Sequence, residues 1–105
     1  MPNFVLTYLG GKRPESPEAG AAHMEQWKAW VVGLGESMIN PGTPLGKAKM
    51  VSSTGVSDDD GADRLTGFSI VSADSLDDAV AIAKKCPFLD VEGTIGVAEA
   101  MQMPS

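Results

Sequence analysis

The chain holds one histidine, His23, and one cysteine, Cys86. Histidine is the side-chain type that changes charge near neutral pH, which makes it the first candidate for moving a proton. A general base of this kind needs a carboxylate to orient its ring. In a helix around His23, the residues three and four positions away are Ala19, Gly20, Gln26 and Trp27, and none is acidic. An acidic partner must therefore come from elsewhere, and Asp74, Asp90, Glu92 and Glu99 stand near expected strand ends and loops. Three roles stay open for His23: a structural or solvated side chain, a pocket-lining one, and a catalytic acid or base.

Cys86 precedes Pro87, where a helix would end; the negative end of the helix dipole disfavours a thiolate there. Burial as a small hydrophobe is the favoured reading. One histidine and one cysteine are too few soft ligands for a structural zinc site. The acidic run Asp58-Asp59-Asp60 beside Gly61 reads as a solvated hairpin tip rather than a metal loop. Neither a phosphate-cradling glycine motif nor a nucleophile elbow occurs, and no cofactor is expected. The segment Asn40-Pro41-Gly42-Thr43-Pro44-Leu45-Gly46 alternates rigid prolines with permissive glycines, a composition that suits either a pocket mouth or an ordinary connection.

The elements that must position these residues follow from periodicity. Phe4 to Leu9 is rich in β-formers and stops at Gly10-Gly11, a first strand. Ser16-Pro17-Glu18 supplies a helix start, with a capping hydroxyl, a ring preset to helical φ and an acid at the positive end of the dipole. The helix should run to about Met38, with Met24, Trp27, Val31 and Leu34 on one stripe facing a sheet. Trp30 falls off that stripe, on the flank or at an interface. Gly33 and Gly35 weaken its last turns, and Asn40-Pro41-Gly42 ends it. Lys47 to Ser53 reads as a weak strand that pairs as an antiparallel hairpin with a stronger one at Thr66 to Ala73. Ser75 caps a second helix that Pro87 stops, with Lys84 and Lys85 at its negative end. Gly93 to Ala100 supplies the last strand, followed by a methionine-bearing tail. The order βαββαβ predicts an α+β fold, a ferredoxin-like sandwich with a four-stranded antiparallel sheet and both helices on one face, in a single domain over residues 1–105.

With 43% apolar and 21% charged residues the composition is that of a folding globular chain. Fourteen acidic against eight basic residues give a net charge of −6, and no basic stripe offsets it, so nucleic acid is not expected as a partner. No apolar run approaches the ~20 residues of a membrane span, and the first residues lack the pattern of a secretory signal. A cytoplasmic setting is the default expectation.

In the first strand Phe4, Leu6 and Tyr8 share one face and Val5, Thr7 and Leu9 the other, so both faces are largely apolar. Two helices on one side cover one face, and apolar surface left in water forfeits about 25 cal/mol per Å². A second copy of the chain is the simplest cover, giving a homodimer; loops and tail folding across that face are the alternative.

Tyr8-Leu9, a helix bearing His23, the Pro41-Gly42-Thr43-Pro44 turn, Leu65-Thr66-Gly67-Phe68-Ser69-Ile70-Val71 and the stretch from Asp74 through Ala79 to Lys85-Cys86-Pro87 together resemble the YCII-related family over nearly the whole chain. The resemblance implies a dimeric α/β barrel of ferredoxin-like subunits, with a cleft near the helix-borne histidine. It also implies kinship with small-ring lyases and dehydrochlorinases that use a histidine and aspartate dyad. The histidine carries over to His23. Many relatives place Asp ahead of the proline that ends the second helix, where this chain has Cys86, and Asp60-Gly61-Ala62-Asp63 stands where another branch has Asp-Gly-Pro-Phe. The expected function is that of a cofactor-free small-molecule lyase or isomerase using His23, the alternative a non-catalytic module binding a small ligand or a protein.

Overall fold

The elements run β1 (Asn3–Gly10), α1 (Pro17–Leu34), β2 (Met38–Asn40), β3 (Lys49–Ser52), β4 (Gly55–Asp58), β5 (Leu65–Ser72), α2 (Leu76–Lys84) and β6 (Gly93–Ala100), with short 3-10 turns over Gly35–Ser37 and Pro87–Val91. The structure, a computed structural model, describes residues 1–101, and the methionine-bearing tail expected after the last strand lies outside the described residues from Gln102 onward.

β1 is the centre of the sheet, antiparallel to β5 on one side and β6 on the other, so that Leu6 lies opposite both Ser69 and Val97. β2 joins the outer edge of β5, giving the order β2-β5-β1-β6. This is the expected ferredoxin-like arrangement, with a separate β3-β4 hairpin inserted between its second and third strands. Alternation sorts the side chains as anticipated. Phe4, Leu6 and Tyr8 of β1 and Val71 of β5 are buried with Ala79 and Ala83 of α2, and Trp27, Trp30 and Leu34 of α1 pack against that cluster. Both helices therefore cover one face. On the other face Val5, Thr7 and Leu9, with Phe68 and Ile70 opposite, stay only half-buried.

The caps lie where the sequence puts them. Ser16 Oγ accepts from the Ala19 amide and Ser75 Oγ from the Asp78 amide, each at 3.1 Å, so each satisfies one of the free donors at its helix start. Trp30 proves to be a tie between the helices, its Nε1 donating to the Ile82 carbonyl at 3.3 Å.

Three expectations need correction. α1 ends at Leu34 rather than near Met38, because Gly35 turns to φ 55° and leaves the helix; Met38–Asn40 then pairs with β5 as the sheet's edge strand. The strand expected over Lys47–Ser53 exists, but its partner is β4 and not β5: Val51 lies opposite Val56 and Lys49 opposite Asp58, where the two charges pair. The acidic run is consequently at the foot of that hairpin, not its tip. Asp59 accepts from the Leu65 amide at 3.0 Å and helps turn the chain into β5.

A radius of gyration of 14.9 Å and extents of 43 × 35 × 19 Å describe a flat molecule, since a compact chain of about 100 residues has a radius near 13 Å. The projecting hairpin, with every residue of β3 and β4 exposed, and the half-bare sheet account for the excess.

Candidate functional site

α1 lies over the sheet without sinking into it: none of its residues is buried. Bulky Trp27 and Trp30 hold it off, and the space left between its stretch from His23 to Val32 and the end of the sheet is a cleft of about 730 Å³. This is ample for a ligand of one or two rings. The stripe expected to face the sheet instead divides. Trp27 packs on the core and also lines the cleft, while Met24 and Val31 line the cleft alone, Met24 remaining 51% exposed.

The floor is aromatic. Tyr8 of β1 meets Trp27 edge to face with ring centres 5.4 Å apart and leans on Phe88 at 5.2 Å, spacings at which aromatic rings attract through their quadrupoles. Phe88 can take that position because Gly93 has no side chain; a Cβ there would run into its ring. One lip is the turn from Pro41 to Pro44, which the composition of residues 40–46 had offered as a pocket mouth. Gly42, at φ 76°, passes so close to the Phe68 carbonyl that any side chain would collide with it, and Pro44 bridges to Gly67 of β5.

Lip and floor are tied together. The Tyr8 hydroxyl donates to Ser69 Oγ at 2.8 Å, and Ser69 in turn donates to the Pro41 carbonyl at 2.8 Å. Burial pushes the Tyr8 phenol well above its ordinary value, so this group stays a neutral donor at physiological pH. The chain of bonds fixes the lip against the sheet.

His23 is half-buried on the α1 wall and faces this space. None of the four carboxylates named as candidate partners reaches it: among the described residues His23 forms no ion pair, and no Asp or Glu lines the cleft. Asp74 and Asp90 are exposed, Glu99 lies opposite Phe4 on β6, and Glu92 pairs with Lys12 at 2.9 Å. Cys86 is 3% exposed and does not itself line the cleft; it lies behind the floor, its thiol beside the Tyr8 hydroxyl. Burial pushes its thiol up to about 11, which keeps it protonated and inert as a nucleophile at neutral pH. Among the described residues no three His, Cys, Asp or Glu side chains converge to hold a metal ion, and no helix is long and apolar enough to cross a membrane.

Four residues that sequence reasoning did not single out also line the cleft: Lys12 and Arg13 from the loop after β1, Lys28 from α1 and Arg64 from the approach to β5. They are far apart in sequence, so no local run of charge announces them.

No family model matches the chain, and no curated protein matches it. Among solved structures it is similar to the 5-chloro-2-hydroxyhydroquinone dehydrochlorinase TftG from Burkholderia phenoliruptrix AC1100, in complex with 2,5-dihydroxybenzoquinone. The TM-score is 0.56 at 18% identity, covering 94% of this chain and 95% of that one. At this identity the likeness carries the fold: two helices on one four-stranded antiparallel sheet.

Proposed function

We propose that the chain is a YCII-related, cofactor-free lyase or isomerase, acting as a homodimer of single-domain subunits in the cytoplasm, in which His23 moves a proton on a ring or enolisable small molecule. One observation carries the reading: the only histidine of the chain stands half-buried on the wall of a cleft whose floor is three packed aromatic rings. An apolar floor holds a planar substrate by its face, and a lone imidazole beside it can take a proton from, or return one to, the ring edge. The dehydrochlorinase of similar fold acts, by its name, on a chlorinated hydroxyhydroquinone, and a molecule of that size fits this cleft.

The homodimer rests on the half-bare sheet face, where Val5, Leu9, Phe68 and Ile70 lack a cover among the described residues, and sedimentation at low micromolar concentration tests it; a monomer there removes that part of the proposal. The reducing setting is in keeping with the single buried thiol. For the chemistry, His23→Ala should lower turnover of a ring substrate about 100-fold or more while leaving the melting temperature unchanged. Unaltered turnover in that variant removes His23 from the mechanism.

A second reading is favoured by a specific observation. Among the described residues no carboxylate orients His23, and Cys86, standing where many relatives carry Asp, is buried just past the end of α2. A module that binds a small ligand or a protein through the same cleft needs no such dyad. Thermal-shift screening with product analysis separates the two, since stabilisation without conversion is the mark of binding alone.

A further inference from the structure

In a chain of net charge −6, four of the eight basic residues line the cleft and none of the fourteen acidic ones does. An unbiased draw from the charged residues would put mostly carboxylates there. Lys12 is neutralised by Glu92, but Arg13, Lys28 and Arg64 have no carboxylate within ion-pair distance among the described residues. Arg64 is half-buried and spends one nitrogen on the Gly11 carbonyl at 3.4 Å, which leaves most of its five donors uncommitted. That bond also sets Arg64 against the loop that carries Arg13, so two guanidinium-bearing segments meet at one end of the cleft, with the aromatic floor of Tyr8, Trp27 and Phe88 beside them.

We propose that the cleft selects an aromatic carboxylate, its ring lying on the floor beside His23 and its carboxylate taken at the Arg13 and Arg64 end. Guanidinium groups match a carboxylate with paired donors, which an ammonium cannot do. Arg64 is half-buried, which limits its screening by salt, while Arg13 is exposed and its share of the attraction falls as salt rises. A cationic pocket in an acidic molecule also has a discriminating function: the surrounding surface repels anions except at the place built to hold one. The inference rests on the small-molecule reading of the cleft and specifies which small molecule it takes.

Isothermal titration of the full chain with 4-hydroxybenzoate and with 4-hydroxybenzamide tests it, because the two probes share shape and ring and differ by one charge. The acid should bind about tenfold or more tightly than the amide. Arg13→Gln and, separately, Arg64→Gln should bring the acid toward the amide, weakening the acid severalfold more than the amide. Lys84→Gln with Lys85→Gln, two exposed cations at the end of α2, should change neither, which distinguishes local recognition from net charge. Raising salt from about 50 to about 500 mM should reduce the preference only partly. Equal affinities for acid and amide overturn the selection and leave the small-molecule cleft standing. A preference that survives in both arginine variants overturns the assigned anchor, and heat from neither probe overturns the selection outright, with the His23→Ala turnover measurement then judging the cleft by itself.

Discussion

The two helices share one face of the sheet and use it in opposite ways. α2 has 9 residues and sinks Ala79 and Ala83 to 0% and 6% exposure, whereas α1, with 18 residues, buries none. Side-chain size accounts for the difference. Alanines let the α2 backbone settle onto Leu6 and Val71, while Trp27 and Trp30 act as spacers that prop α1 above the strands. A helix that fits its sheet leaves no room for a ligand, and one that stands off creates it. The scaffold and the site are thus divided between two elements of the same kind, and His23 belongs to the one that is held away.

The sharpest way to break this comparison is to overfill the close contact. Ala79→Leu should cost about 3 kcal/mol in denaturant unfolding, the upper end of what an overpacked core position loses, whereas Val32→Ala on α1, at 77% exposure, should fall within about 0.5 kcal/mol of the parent. Comparable losses would mean that α1 is as tightly seated as α2.

A smaller effect separates the helices by pH. The Cys86 thiol, just past the end of α2, is raised by burial from 9.0 to about 11, so the fold favours its protonated form. Stability from this source is complete below pH 9 and is lost as pH rises through 11. Of the decline in unfolding free energy across that window, on the order of 2 kcal/mol should vanish in Cys86→Ala. An identical decline in parent and variant would show that the thiol is not held neutral by the fold.

The smallest test compares the caps. Ser16→Ala and Ser75→Ala each remove one hydrogen bond to a helix start, worth about 1 kcal/mol. The loss at Ser75 should appear in global unfolding, because α2 is part of the core. At Ser16 it should appear mainly as faster amide exchange over the first turns of α1, with little change in global stability. Equal global losses would again place α1 within the cooperative core.

Much of the frame was legible from local pattern. β1, β5, α2 and β6 announce themselves through alternation, caps and stops within single segments, and the apolar doubling of β1 follows from the same alternation. Met38–Asn40 was not legible, because three residues after an apolar helix continue its period, and only pairing with Val71 and Ile70 makes them a strand. The partner of Lys49–Ser52 was misassigned for a related reason: strand propensity is local, whereas pairing depends on the turn chosen, here Ser53-Thr54 leading into Gly55 at φ 150°. At the site, His23 and the lip at Pro41–Pro44 could be picked out by residue type. The cations could not, since Lys12, Arg13, Lys28 and Arg64 come together only when the end of β1, the wall of α1 and the approach to β5 meet.

The β3-β4 hairpin leaves the fold just after Pro44 and returns at Arg64, both on the margin of the cleft, and the Leu45 amide closes its base on the Thr66 carbonyl at 3.0 Å. Every residue of β3 and β4 beyond that clasp is exposed, and neither strand pairs with the main sheet. It amounts to a splice point: new sequence can be grafted or trimmed at the Ser53-Thr54 tip without disturbing the clasp, and the cleft thereby has beside it a segment free to diversify while the histidine, the floor and the arginines stay in place.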